Sequence, residues 1–203
     1  MTPVGAVAGQ ASGPDARWLV AVDFQRVFGD PASPWCAPHY DEAAENAARL
    51  AVAFGQRCVF TRFVAPAEPA GAWVPYYEEF PFALQPPEAD LYELTDEVAP
   101  LAVHTVSATT FGKWGPALEQ LVGPTPELVV CGVSTDCCVL STVLPAVDAG
   151  AQVTVVTDAC AGSDDANHDK ALEVMALYAP LVDLATTDEV LQGLRGEVTA
   201  GAG

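Results

Sequence analysis

The chain alternates short apolar runs with amphipathic stretches, and this alternation restricts it to one class of fold. Trp18-Leu19-Val20-Ala21-Val22 reads as a strand that stops at Asp23, and residues 58–61, 102–106, 128–131, 153–156 and 181–185 repeat the pattern. Between these runs, 41–54, 115–122 and 165–178 read as helices. So does the stretch from Cys138 through Ala149, with Pro145 expected to kink it. Thr186-x-x-Glu189 forms a capping box that opens a final helix. Strands separated by helices over short connections pair in parallel, with both faces of the sheet covered. The expectation is an α/β fold, a three-layer α/β/α sandwich with a mostly parallel open sheet and right-handed crossovers. A chain of 203 residues is enough for one such domain. We place it at 17–194, with small-residue, flexible tails at 1–16 and 195–203.

Charge excludes several partners. Eight Lys and Arg stand against 27 Asp and Glu, a net charge of −19. Such a surface repels a phosphate backbone, so no nucleic-acid partner is expected. It gives anionic membranes no purchase either. No apolar run reaches the ~18 residues of a membrane helix, and the N-terminus lacks the basic region and apolar core of a secretory signal. The six cysteines, Cys36, Cys58, Cys131, Cys137, Cys138 and Cys160, contain no Cys-x-x-Cys and no zinc-like spacing. They read as reduced thiols of a cytoplasmic protein. Neither a dinucleotide-binding glycine pattern nor a P-loop occurs, so no nucleotide cofactor is expected.

Two residues lie just past strand ends, where open sheets of this type hold their ligands. Asp23 closes the first strand, and a carboxylate there can serve as general base or can cap a turn. Cys138 ends the run Gly132-Val133-Ser134-Thr135-Asp136-Cys137-Cys138 between a strand and a helix. Helix-terminal amides at such a turn favour a thiolate and can hold an oxyanion; a free cysteine can equally be a small buried hydrophobe. Adjacent helical residues point about 100° apart, so Cys137 is expected to face away.

Three stretches carry a resemblance. Ala21-Val22-Asp23-Phe24-Gln25 with Phe28, Gly132-Val133-Ser134-Thr135-Asp136 with Cys138-Val139, and Val155-Val156-Thr157-Asp158-Ala159-Cys160 with His168 and Met175 resemble, in order, the motifs of the isochorismatase-like cysteine hydrolases. The resemblance implies an Asp–Lys–Cys triad in which the thiolate attacks an amide or related C–N bond and forms a thioester. It also implies a cis peptide before Ser134, an oxyanion site at Ser134 and Cys138, and a homodimer or homotetramer. Cys138 fits the nucleophile spacing. The family's lysine precedes a Ser-Ala-Phe-like run by about six residues; counting back from Phe111 reaches Thr105. Lys113 follows nearby, and its four-carbon stem allows it to reach the site from a shifted position. The alternative is an incomplete triad, and with it a silent binding protein on the same fold.

No metal is expected. The stretch after the second strand, Thr61 to Pro66, lacks the Asp-x-His of nicotinamidase-like relatives, and His39, His104 and His168 are isolated. The irregular segment over 65–94 is rich in aromatics, including Trp73, Tyr76, Tyr77, Phe80 and Phe82, with Trp35 and Trp114 elsewhere. Such rings wall a pocket or pack an interface. Phe28, Trp73, Tyr77, Thr105, Phe111 and Trp114 are the candidate pocket residues for a small-molecule substrate.

Overall fold

A computed structural model describes residues 17–200, with side chains through Arg195. The expected tail at 1–16 lies outside the described residues. Six strands form one sheet in the order β3-β2-β1-β4-β5-β6. They are β1 (Trp18–Val22), β2 (Cys58–Phe63), β3 (His104–Ala108), β4 (Glu127–Val133), β5 (Gln152–Ala161) and β6 (Val182–Ala185). Every pairing is parallel.

The sequence explains why β1 and β4 occupy the middle. Leu19 to Val22 are fully buried, and Leu128 to Val133 nearly so, as strands covered on both faces must be. From this pair the chain builds outward both ways. Right-handed crossovers therefore put their helices on opposite faces. Helix α2 (Tyr40–Phe54) packs on β1, β4 and β5 beside α7 (Thr187–Ala200). Helices α5 (Leu140–Asp148) and α6 (Asp165–Ala176) pack together on β5. The short helices α1 (Arg26–Gly29), α3 (Trp73–Glu79) and α4 (Pro116–Val122) complete the set. The carboxyl ends of β1 and β4 meet where the strand order reverses, and open α/β sheets form their ligand crevice at such a point.

Several boundaries differ from the sequence reading. The stretch 65–94 is not irregular: it contains α3 and tight turns at Pro81–Ala83 and Asp90–Tyr92. Tyr92 pins it, its hydroxyl donating to the Ala83 carbonyl and accepting from the Ala65 amide at 3.1 Å. Buried Gln25 holds the same strap, donating to the carbonyls of Phe63 at 2.9 Å and Tyr92 at 2.6 Å. The final helix runs through Ala200, past residue 194 where the sequence reading ended the domain. Its capping box is present, with the Thr186 amide 2.7 Å from Glu189 Oε2. The Asp158 carboxylate accepts a second amide, that of Thr187, at 2.7 Å. Helix α6 stops at Ala176, ahead of Pro180, which cannot continue it.

Gly132 fixes how closely the two central strands approach. Its φ is +139°, and a Cβ there would strike the Val22 backbone. Gly132→Ala should cost about 1–3 kcal/mol in overpacking and ~1–3 kcal/mol in backbone strain. At ~2–4 °C per kcal/mol for a chain of this size, its midpoint falls by on the order of 10 °C. Gly193, exposed on α7 with open space around it, behaves oppositely, and Gly193→Ala stabilises by about 0.5–1 kcal/mol. Thermal denaturation followed by circular dichroism checks both; equal midpoints for the two variants would refute the close-approach account.

Candidate active site

The site is built from the ends of three parallel strands and one loop. β1 delivers Asp23, whose φ of +56° turns the chain sharply out of the sheet. Aspartate is among the residues that tolerate this left-handed backbone. The end of neighbouring β2 supplies Thr61. Its hydroxyl accepts from the Asp23 amide at 3.2 Å and donates to Asp23 Oδ1 at 2.6 Å. The carboxylate is thereby clamped in one orientation, with Oδ2 facing Lys113 Nζ at 2.8 Å. Both side chains of this ion pair are fully buried.

Lys113 arrives on the loop after β3. Its ammonium donates to the carbonyls of Thr110 at 2.7 Å and Phe111 at 2.8 Å, and lies 5.6 Å from the centroid of the Phe63 ring. Its backbone amide donates to Thr142 Oγ1 at 2.9 Å, and that hydroxyl donates to the Cys138 carbonyl at 2.7 Å. One threonine thus ties the lysine loop to the cysteine turn. Two further residues let the loop come so close. Pro145 deprives the Ser141 carbonyl of its helical donor, and that carbonyl is the atom a Cβ at Gly112 would strike. Thr105, where the family offset pointed, is exposed on β3 beside Phe60. Lys113 makes the contact instead.

Cys138 sits in a wide helical turn, Thr135–Val139, between β4 and α5. The Val133–Ser134 peptide that leads into it is cis. Two adjacent contacts anchor the turn to the start of α6. Thr135 Oγ1 lies 2.8 Å from His168 Nδ1, and Asp136 accepts from the Ser163 amide at 2.7 Å and hydroxyl at 2.8 Å.

The electrostatics differ from the expected helix-terminal thiolate. Burial pushes the Cys138 thiol well above the ordinary thiol range; the Asp23 carboxylate adds to the rise and the Lys113 ammonium opposes it. Desolvation outweighs the helix end, and the resting group is the neutral thiol. Cys137 does not face away: it borders the same cleft as Cys138, and its thiol donates to Asp136 Oδ2 at 3.5 Å. Burial, helped by Asp136, pushes it up to about 11.

The cleft over Cys138 has a volume of about 170 Å³ and is lined by Phe28, Phe111, Ser134 and Cys138 among the anticipated residues. Trp73, Tyr77, Thr105 and Trp114 do not line it. Trp73 stands behind the wall, 5.3 Å from Phe111 between ring centroids, and Tyr77 is buried with its hydroxyl unpartnered. Trp114 is half-buried against the core. Trp35, Phe63 and Tyr76 take their places. The register of β2 beside β1 was the available signal for Phe63; nothing local marked Trp35. A larger cleft of about 620 Å³ beside Arg26 touches none of these groups.

The histidines have other partners. His39 pairs with Asp165 at 3.3 Å, His104 tilts on Trp18, and His168 bonds Thr135. Among the described residues no three His, Cys, Asp or Glu side chains are grouped to hold a metal ion. No described helix is long and apolar enough to cross a membrane. All six cysteines are free.

The thiol's environment gives a sign to test. Asp23→Asn removes a group that raises the Cys138 thiol and leaves the ammonium that lowers it. At pH 8, iodoacetamide should therefore label Cys138 faster in Asp23→Asn than in the unaltered protein, read by peptide mass spectrometry. Equal or slower labelling would show that Asp23 does not act on the thiol.

Known proteins resemble this chain in sequence and in fold. Human isochorismatase domain-containing protein 2 is 34% identical over 123 residues, covering 59% of this chain and 55% of its own length. The nicotinamidase of Escherichia coli strain K12 is 42% identical over 66 residues, 31% of each chain. The matched stretches thus span less than two thirds of these curated relatives. A cysteine hydrolase from Pseudomonas syringae pv. phaseolicola shares the fold with a TM-score of 0.79 at 18% identity, over 91% of this chain and 95% of its own. The isochorismatase domain model matches residues 17–189, from the start of β1 into α7. With that match over nearly the whole described structure, the chain belongs to the isochorismatase domain family.

Proposed function

We propose that this protein is a cysteine-dependent amidohydrolase that cleaves a small-molecule amide or related C–N bond through a thioester. The observation that carries the reading is the fully buried Asp23–Lys113 ion pair set beside the thiol of Cys138. A buried ion pair is expensive to maintain and adds little stability over an apolar substitute. A carboxylate fixed by Thr61 against a neutral thiol is placed for general-base work. The names of two relatives, a nicotinamidase and a cysteine hydrolase, point the same way.

In this reading Cys138 Sγ adds to the substrate carbonyl carbon while its proton passes to Asp23. Proton transfer accompanies attack, so no preformed thiolate is needed. The oxyanion is held by backbone N–H groups of Ser134 and Cys138, donors that are worth most in a site closed to water. Asp23 then returns the proton to the leaving nitrogen, ammonia or an amine departs, and the thioester remains. Water, deprotonated by Asp23, adds to the thioester, the C–S bond breaks as Asp23 returns that proton to Cys138 Sγ, and the acid leaves. Lys113 sets its positive charge against Asp23 and lowers the cost of negative charge on sulfur.

The test is intact-mass spectrometry of protein quenched during reaction with a panel of small primary amides, with ammonia release measured in parallel. An acyl adduct on Cys138, lost in Cys138→Ser, is expected. Asp23→Asn should lower turnover by about 10²–10⁴-fold despite its faster alkylation. Undiminished ammonia release from Cys138→Ser would overturn the reading.

A further inference from the structure

The lining of the cleft over Cys138 limits what can bind there. Five aromatic rings, Phe28, Trp35, Phe63, Tyr76 and Phe111, stand among its eleven lining residues, and none of the eleven is Asp, Glu, Lys, Arg or His. The charges beside it are already engaged: Asp23 and Lys113 are fully buried and paired with each other, and the Asp136 carboxylate accepts from the Cys137 thiol and from the Ser163 amide and hydroxyl. The rings are braced from behind. Trp35 stacks on Phe28 at 6.1 Å and 9°, meets Phe63 edge-on at 6.1 Å, and is flanked by Phe80 and Phe82 at 5.5 and 5.0 Å. Trp73 backs both Tyr76 at 5.2 Å and Phe111 at 5.3 Å. The slot is therefore preformed, and enlarging it would require moving several packed rings together.

Its polar features are few. Tyr76 is half-buried, and its hydroxyl lies close enough to the Cys137 and Cys138 thiols to interact with them electrostatically. It offers a hydrogen bond at the reacting end of the slot, away from the hydrocarbon wall. The volume of about 170 Å³ compares with the roughly 150 Å³ of an apolar cavity that binds benzene.

Resting on the hydrolase reading above, we propose that the substrate is a primary amide whose acyl group is uncharged, apolar and no larger than about one six-membered ring. A carboxylate or ammonium on that group would lose its water in this slot and find no unengaged counter-charge in its lining. The net charge of −19 disfavours the approach of anions further. Trp35 sets the size limit.

Benzamide and pentanamide represent the favoured class, succinamate the charged class at similar length, and 2-naphthamide the oversized class. Two measurements separate this inference from the hydrolase reading. In Cys138→Ser protein, where no thioester forms, calorimetry should find benzamide bound at least tenfold more tightly than succinamate. In the unaltered protein, kcat/KM for benzamide should exceed that for succinamate by on the order of 100-fold. Trp35→Ala should improve 2-naphthamide relative to benzamide. Equal or tighter binding of succinamate overturns the substrate class even if Cys138 is acylated by other amides. Selective benzamide binding without acylation of Cys138 sustains the substrate class and overturns the hydrolase reading instead.

Discussion

The buried ion pair between Asp23 and Lys113 is the contact around which the centre of this molecule is arranged. Neither side chain reaches water, so each charge must be satisfied by the protein. Thr61 orients the carboxylate, while the Thr110 and Phe111 carbonyls take the ammonium's remaining donors. Losing one partner would leave an uncompensated buried charge, typically a cost of about 3–5 kcal/mol. The closeness of β1 and β4 at Gly132, the packing of Gly112 on α5 and the double bond-making of Thr142 all bring these groups within reach. A stable core needs none of that.

The architecture was legible because the apolar runs are short, regular and buried on both faces. Asp23 and Cys138 were legible as residues at strand ends, and the sheet order brings those two ends together at its point of reversal. Lys113 was harder. It lies eight residues beyond Thr105, and only the loop's close packing against α5 carries its side chain back to the first strand. The thiol's state was misread because a helix end is visible in sequence, whereas the completeness of burial over Cys138 is a property of the assembled fold.

The pocket was the least legible part. The aromatic stretch was recognised as a group, but which rings face inward depends on how 65–94 folds, and that segment winds into a helix and turns around Tyr92. Trp73 and Tyr77 are therefore braces, while Tyr76, between them on the face that turns inward, borders the cleft. Trp35 comes from a loop with no helical or strand pattern to orient it. Its position is fixed by ring contacts with partners distant in sequence.

The order in which the ion pair's members occur along the chain bears on how the protein gains its structure. Asp23 is synthesised with the first strand, long before Lys113 or Thr142 exists. A nascent half-sheet of β1, β2 and β3 would have to enclose that carboxylate without its counter-ion or leave it in water, and either choice opposes closing the core early. Lys113 follows β3 directly, but its amide rests on Thr142 of α5, so the loop that carries the counter-ion is held in its native place only once the second half of the sheet has packed.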